Sequence, residues 1–278
     1  MSIVLIRSKN TEIILTLLLN MVRPKKHLGQ HFLTDRSIAR RIVDALVIRS
    51  GDTVMEIGPG KGILTGPLLE KDIRLLPLEI DPEASGYLRK KWPEIGEVLV
   101  EEDFLKADLE RICEGPFHII GNFPYNISGQ IFFRILDNRE RIISVVCMVQ
   151  KEVADRIASP PGSREYGILS VLLGAYFEIE KLFTVKPGSF FPPPQVTSSV
   201  IRLSRNRIPS LPCDEALFFR IVKTVFNQRR KMIRNSIKPI LLILEEDFEI
   251  LKNRPEELGV PEFIELTRWV EKKQSEIS

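Results

Sequence analysis

Cysteine and histidine are both scarce in this chain, with three of each in 278 residues. Cys113, Cys147 and Cys213 lie far apart and show no CxxC spacing. That pattern excludes a disulfide framework and a thiolate zinc site, and it fits a reducing cytoplasm. His27, His31 and His118 form no metal-ligand pattern either, so no metal is expected. Charge of one sign is not in excess, the net being only +3, so overall charge says little about partners. A long hydrophobic run is lacking as well. One run near the start, Ile13–Leu19, follows Arg7 and Lys9 and superficially resembles a signal peptide. It is too short to span a bilayer, and no small-residue cleavage site follows it. Residues 1–20 are read as a misassigned start or a loose extension, with the folded chain beginning at Met21.

What is present is organised. The hydrophobic fraction of 44% suits a globular protein with a real core. A helix is expected after Thr34 or Asp35, with Ile38, Ile42 and Leu46 on one face. Strand-like runs recur at Thr53–Ile57, Ile73–Glu79, Glu97–Val100, Phe117–Ile120 and Ile142–Val149, with helical patterns such as Ile63–Lys71 and Glu83–Lys91 between most of them. Such alternation predicts a parallel sheet with helices on both faces. Pro77 is awkward inside its strand, because it cannot donate a ladder hydrogen bond. Apolar runs continue at Leu169–Ala175 and Phe177–Val185, and a Pro-rich turn, Phe190–Pro194, precedes a further strand at Ser198–Leu203. Arg205–Pro212 reads as a linker, and only helical patterns follow it.

Charge is distributed unevenly in that last part. Seven basic residues and no acidic one lie between Ala216 and Leu244, whereas from Glu245 onward acids outnumber bases ten to five. Arg220, Lys223, Arg229, Arg230, Lys231 and Arg234 thus offer a cationic surface for a polyanion, the alternative being a solvated helix face.

Two motifs carry chemistry. The first, Glu56-Ile57-Gly58-Pro59-Gly60-Lys61-Gly62, sits between a strand and a helix, where glycines let the backbone turn and approach a ligand. Its spacing is GxGxG, not the GxGxxG of dinucleotide binders. Glu79 closes the next strand, 21 residues after Gly58, where a carboxylate can accept both hydroxyls of a ribose. Asp103 is placed to meet an adenine's exocyclic amine. Together these strand-end features predict a crevice for an adenosyl ligand, the alternative being glycines kept for packing.

The second motif is Asn122-Phe123-Pro124-Tyr125, directly after the fourth strand, and it resembles the signature of enzymes that methylate exocyclic amines of bases. The lone pair of an adenine amine is delocalised into the ring, which makes it a poor nucleophile. Two acceptors, the Asn122 side-chain oxygen and the Phe123 carbonyl, can hold its hydrogens and favour a more pyramidal nitrogen. Pro124 fixes that backbone shape, and Tyr125 offers a face for the base, worth roughly 1–3 kcal/mol. An ordinary Asn- and Pro-rich turn is the bland alternative.

With these motifs in order, the chain resembles the small-subunit ribosomal RNA adenine dimethyltransferases, the KsgA-type enzymes. The resemblance runs from about Lys25 to Ile237 and includes Lys26–Leu33, the glycine motif, Asn122–Ser128, Gln150–Val153, Tyr166–Val171, Phe190–Val196 and Phe226–Lys231. It implies a Rossmann-like class I methyltransferase sheet over residues 21–205 and a small, all-α RNA-binding domain over 206–278. It further implies that His31 and Leu33 lie in a segment closing over S-adenosylmethionine. Gly58, Gly60, Glu79, Asp103 and Asn122 would be the remaining cofactor contacts, and Tyr125 and Phe190 would sandwich a flipped adenine. The implied reaction places two methyls on each of two adjacent adenosines in a hairpin near the 3′ end of small-subunit rRNA. The amine attacks the sulfonium methyl in line, which needs positioning more than acid–base chemistry. A monomeric cytoplasmic enzyme working on pre-ribosomal 30S particles follows from that role. The chain departs from the family at His31, where Asn is frequent, and at Thr197, where Asp is common. Two other readings share the motifs: a large-subunit rRNA adenine methyltransferase of the antibiotic-resistance type, and a non-catalytic nucleic-acid-binding factor that kept the fold.

Overall fold

A computed structural model describes Val22, Pro24, Lys25 and residues 28–206, 208–241 and 247–277. The extension at residues 1–20 and the Lys26-His27 start of the first family segment lie outside the described residues. Eight strands and ten α-helices follow one another among those described. Strand β1 is Phe32–Leu33, β2 Thr53–Ile57, β3 Arg74–Leu78, β4 Phe117–Asn122, β5 Ile142–Gln150, β6 Phe177–Val185, β7 Phe190–Phe191 and β8 Ser198–Arg205. Helix α1 is Arg36–Asp44, α2 Thr65–Leu69, α3 Pro82–Lys91, α4 Leu109–Ile112 and α5 Ser128–Asp137. Then come α6 Lys151–Ile157, α7 Ile168–Gly174, α8 Glu215–Phe226, α9 Ile233–Ser236 and α10 Val260–Ile277. None of these helices is long and apolar enough to cross a membrane.

Six strands form one sheet in the order β3-β2-β4-β5-β8-β6. Strands β2, β4 and β5 are largely buried on both sides because both faces of the sheet are covered there, whereas edge strand β6 is mostly exposed or half-buried. Alternate residues serve opposite cores: Met55, Ile57, Ile119, Val145 and Cys147 enter one cluster, and Val54, Ile120, Val146 and Met148 the other. Helix α1 covers the second face with Ala39, Ile42 and Val43, and Asp35 caps it by accepting from Ser37 and Ile38. Helix α5 covers the first face with Ile131, Phe132, Ile135 and Leu136. That same cluster runs on beneath the C-terminal helices, taking in Phe218 and Ile221 of α8 and Phe263 and Leu266 of α10.

Two expectations are corrected. The sheet is not wholly parallel: β8 runs antiparallel between β5 and β6. The hairpin-like return through the Pro-rich turn allows that insertion, since antiparallel neighbours need no crossover helix. The segment Glu97–Val100 makes no strand, only a single bridge from Val100 to Leu78. Pro77 supplies the reason. Its carbonyl accepts from Val100 N at 2.9 Å, so its nitrogen points to the same outer edge. The next rung there needs an N–H that proline lacks, and the ladder stops after one step. The inner side of β3 pairs with β2 undisturbed from Thr53↔Arg74 to Ile57↔Leu78. The apolar run at 169–175 is helical, lying in α7 up to Gly174 with Ala175 as its C-cap.

Candidate active site

The carboxyl ends of β2, β3 and β4 meet at a cleft of about 250 Å³ whose walls include Gly58, Gly60, Glu79, Asp103, Asn122 and Tyr125. The sequence scatters these residues over 68 positions, and the parallel topology brings them together. Gly58 and Gly60 both adopt left-handed backbone, with φ of 64° and 57°. A Cβ on Gly60 would stand 2.8 Å from the Phe32 ring, whereas one on Gly58 would meet nothing within 4 Å. The first glycine therefore keeps an open cradle for a ligand, and the second lets the arm before α1 close down on the turn.

Glu79 is 3% exposed, and its carboxylate accepts from Gly60 N at 2.8 Å and Asp81 N at 2.9 Å. Burial raises its pKa, and the two backbone donors oppose that rise. The arrangement fixes the carboxylate in the cleft wall, and each oxygen retains a further lone pair for a hydroxyl. Behind it lies Glu56, a residue of the glycine motif to which the sequence assigned no role. One of its oxygens accepts from Thr65 Oγ1 at 2.7 Å, and the other, Oε1, is buried with no partner. Burial, with a contribution from neighbouring Glu79, pushes its pKa up to about 8. Asp103 closes an Asx turn, accepting from Leu105 N at 3.0 Å.

The orientation of Asn122 is set by its surroundings. Its Nδ2 donates to the His31 carbonyl at 2.8 Å, and a carbonyl can only accept. Asn122 Oδ1 is consequently left buried with no partner among the described residues. Phe123 buries its ring against Phe132 at 5.8 Å, so only its backbone can serve the cleft. Tyr125 shares a hydrogen bond of 2.5 Å with Ser198 Oγ, and burial raises its pKa. Ser198 is fully buried and fixes the tyrosine ring; nothing in the sequence singled it out beyond its position after the Pro-rich turn.

His31 belongs to an arm that wraps over the cleft. Lys25 and Gln30 both bond the carboxylate of Asp81 at the start of α3, anchoring the arm's beginning. Thr34 N donates to Ser189 O at 2.8 Å, anchoring its end. Between them the His31 imidazole donates from Nδ1 to the Pro192 carbonyl at 2.8 Å and stacks on Tyr125, with centroids 5.3 Å apart and planes 24° from parallel. Leu33 and Phe190 pair across β1 and β7, and both are 4% exposed within the second apolar cluster. The structure therefore places these two side chains beside the cleft and not in its wall. Thr197 carries a structural contact, its carbonyl accepting from Lys151 N at 2.9 Å.

The basic residues divide. Arg220, Lys223, Arg230, Lys231 and Arg234 are exposed, and among the described residues none of them forms an ion pair. Arg229 differs: its guanidinium donates to the carbonyls of Arg164 at 2.7 Å and Ser163 at 3.0 Å, with Glu256 3.6 Å away. Those bonds tie the helical part to the loop before α7.

A sheet of this order, with a glycine turn, a buried acid and an Asn-Phe-Pro-Tyr segment at adjacent strand ends, defines a class I methyltransferase. The model of the ribosomal RNA adenine dimethylase family matches residues 21–252. The chain is 51% identical over 257 residues to ribosomal RNA small subunit methyltransferase A of Bacteroides thetaiotaomicron, covering 91% of this chain and 96% of that one. Among solved structures it resembles a dimethyladenosine transferase from Plasmodium falciparum, with a TM-score of 0.73 at 24% identity over 88% of this chain and 98% of that one. The 23S rRNA methyltransferase ErmE follows, with a TM-score of 0.62 at 27% identity over 85% and 99% of the two chains. This chain belongs to the ribosomal RNA adenine dimethylase family.

Proposed function

We propose that the protein dimethylates N6 of two adjacent adenosines in a hairpin near the 3′ end of small-subunit rRNA, within a pre-ribosomal 30S particle. The observation that carries this reading is the buried, unpartnered Asn122 Oδ1 beside Tyr125. It is an acceptor waiting for an amine hydrogen, next to a ring suited to a base. The residues also fit S-adenosylmethionine, which would supply an electrophilic methyl on a cationic sulfur. Glu79 would take its ribose hydroxyls, Asp103 its adenine amine, and the open side of Gly58 its close approach. His31 and Leu33 belong to the segment that closes that side of the cleft.

The protein's own part is positional. Asn122 Oδ1 and the Phe123 carbonyl hold the two amine hydrogens and direct the nitrogen lone pair into the cleft. Pro124 fixes that backbone, while Tyr125, held by Ser198, orients the ring plane. The amine proton leaves to water after transfer, so neither a general base nor a metal is called for. The target base must leave its stack, at a cost of a few kcal/mol, lower in a hairpin loop than in a duplex. We read residues 21–205 as the catalytic unit and 206–278 as the RNA-binding unit of a cytoplasmic monomer. The exposed cations Arg220, Lys223, Arg230, Lys231 and Arg234 would hold the phosphate backbone.

The test is methyl transfer from labelled S-adenosylmethionine to unmethylated small and large ribosomal subunits, followed by nucleoside mass spectrometry. Dimethyladenosine in the small subunit alone is expected. Label in the large subunit would favour the activity named for ErmE, and label in neither would favour a binding factor.

A further inference from the structure

The imidazole of His31 lies where the proposed function needs a base. Its ring faces Tyr125 with centroids 5.3 Å apart. A base inserted between two rings needs roughly 7 Å between their planes, twice the ~3.5 Å contact of carbon atoms. The two rings therefore leave no room for one. Tyr125 cannot yield, because its hydroxyl is bonded to Ser198, which is fully buried on β8. His31 can, since among the described residues its side chain is held by that ring face and one bond from Nδ1 to the Pro192 carbonyl. The Asn122 carboxamide ties the geometry together. Its Nδ2 binds the His31 backbone carbonyl while its Oδ1 is the vacant acceptor, and His31, Asn122 and Tyr125 all line the same cleft. Phe190, the other aromatic that the sequence offers as a wall, is 4% exposed in the apolar cluster and does not compete for this face.

We infer that the His31 side chain is a displaceable plug: in the RNA-free protein it occupies the face of Tyr125 kept for the target adenine, and the base evicts it on entry. The inference rests on the function proposed above. The plug keeps water and stray rings off Tyr125 until a base arrives that can both stack there and donate to Asn122 Oδ1. The plug costs every base the same, so discrimination rests on Asn122 Oδ1, which a ring without an exocyclic donor leaves unpaired. The affinity for a base falls by the fraction of molecules that are unplugged. A plug in place in nine-tenths of them weakens binding about tenfold.

The experiment uses the full chain saturated with S-adenosylhomocysteine, so that the cofactor site is filled, and titrates adenosine 5′-monophosphate. In the wild-type protein the His31 Hε1 resonance is expected to leave the Tyr125 ring current as the nucleotide binds. His31→Ala is expected to bind the nucleotide three- to tenfold more tightly, and Tyr125→Ala to lose binding in either background. Weaker binding by His31→Ala would make His31 a wall of the base site and overturn the plug. Equal binding, or an Hε1 resonance that stays in place, would overturn it too. Small-subunit methylation by the wild-type protein is read separately. If it fails, the proposed function falls, whereas the nucleotide titration judges the plug in either case.

Discussion

At the carboxyl edge of the sheet, two buried oxygens, Asn122 Oδ1 and Glu56 Oε1, have no partner. At the amino edge of the same sheet, His118 on β4 is 2% exposed and has both ring nitrogens engaged, with Ser144 Oγ at 2.7 Å and Asp52 Oδ2 at 3.3 Å. The second group contains a serine, a histidine and an aspartate in contact, and by residue type alone it would look the more reactive. Yet its polar atoms are satisfied by one another, whereas at the other edge Asn122 Oδ1 is a buried acceptor in the cleft wall that an incoming donor could satisfy. Unsatisfied buried polar groups are rare because each costs about 1–3 kcal/mol, so they mark where a structure is built for something else. The largest test of that contrast is Asn122→Ala. Methyl transfer should fall by roughly 10²–10³-fold, the range for losing one positioned group at a reacting centre. RNA binding, measured by filter retention, should stay within about twofold, because the phosphate contacts are elsewhere. Equal loss of both would make Asn122 a folding residue and erase the difference between the edges.

Glu79 gives the next largest effect. Its carboxylate is anchored by two backbone N–H groups yet sits in the cleft wall. Hydrogen bonds to a charged group contribute about 1.5–3 kcal/mol each, and 1.4 kcal/mol is tenfold in affinity. Losing even one such bond in Glu79→Ala should therefore weaken S-adenosylmethionine binding by at least about 10- to 100-fold in calorimetry. A change below twofold would mean that Glu79 serves only to hold the glycine turn.

The exposed cations rank third, and they set Arg229 apart from its neighbours. The triple variant Arg230→Gln, Lys231→Gln and Arg234→Gln should weaken RNA binding about tenfold. It should also flatten the salt dependence by about 2–3 units, if each residue meets one phosphate. Arg229→Ala should leave the slope alone and lower stability by about 1–3 kcal/mol, because the Arg164 and Ser163 carbonyls lose their donor. A slope change on Arg229→Ala would place it among the RNA contacts after all.

The order of elements and the cleft residues were legible in the sequence for a physical reason. Periodicity reports which side of a segment is buried, and strand ends inherit their position from topology. Thr53–Ile57 was read with its ends in place, and Gly58, Glu79, Asp103 and Asn122 do line one cleft. What escaped was whatever depends on pairing between distant segments. The antiparallel insertion of β8 is invisible in its own residues, since the buried run that begins Ser198–Arg205 is the same whichever way its neighbours run. Pro77 has no explanation in the sequence, because the segment it meets at Val100 lies 23 positions away. Basic residues could be counted, but the separation of Arg229 from Arg230 needed the loop carbonyls that Arg229 binds. The same limit applies to His31, whose stack on Tyr125 joins residues 94 positions apart.

The smallest effect on activity, and the sharpest on the comparison itself, is the pH dependence of stability. Burial pushes Glu56 from 4.5 up to about 8, so the folded protein holds a proton that the unfolded chain has released. Its contribution to stability is complete below pH 4.5 and is lost as pH rises through about 8. Burial moves His118 the other way, below its ordinary 6.5, with Asp52 opposing the shift. There the unfolded chain takes up a proton that the folded protein refuses. The His118 contribution is complete above pH 6.5 and is lost as pH falls toward the depressed value. Urea midpoints measured across the two windows separate the edges. Glu56→Gln should remove the decline between pH 4.5 and about 8, and His118→Gln should remove the loss that sets in below pH 6.5. Both should retain small-subunit methylation within a few-fold, since neither side chain stands among the groups proposed to hold the base. If His118→Gln instead abolished methyl transfer with its stability intact, the amino edge would have a chemical role and the two edges would no longer differ in kind.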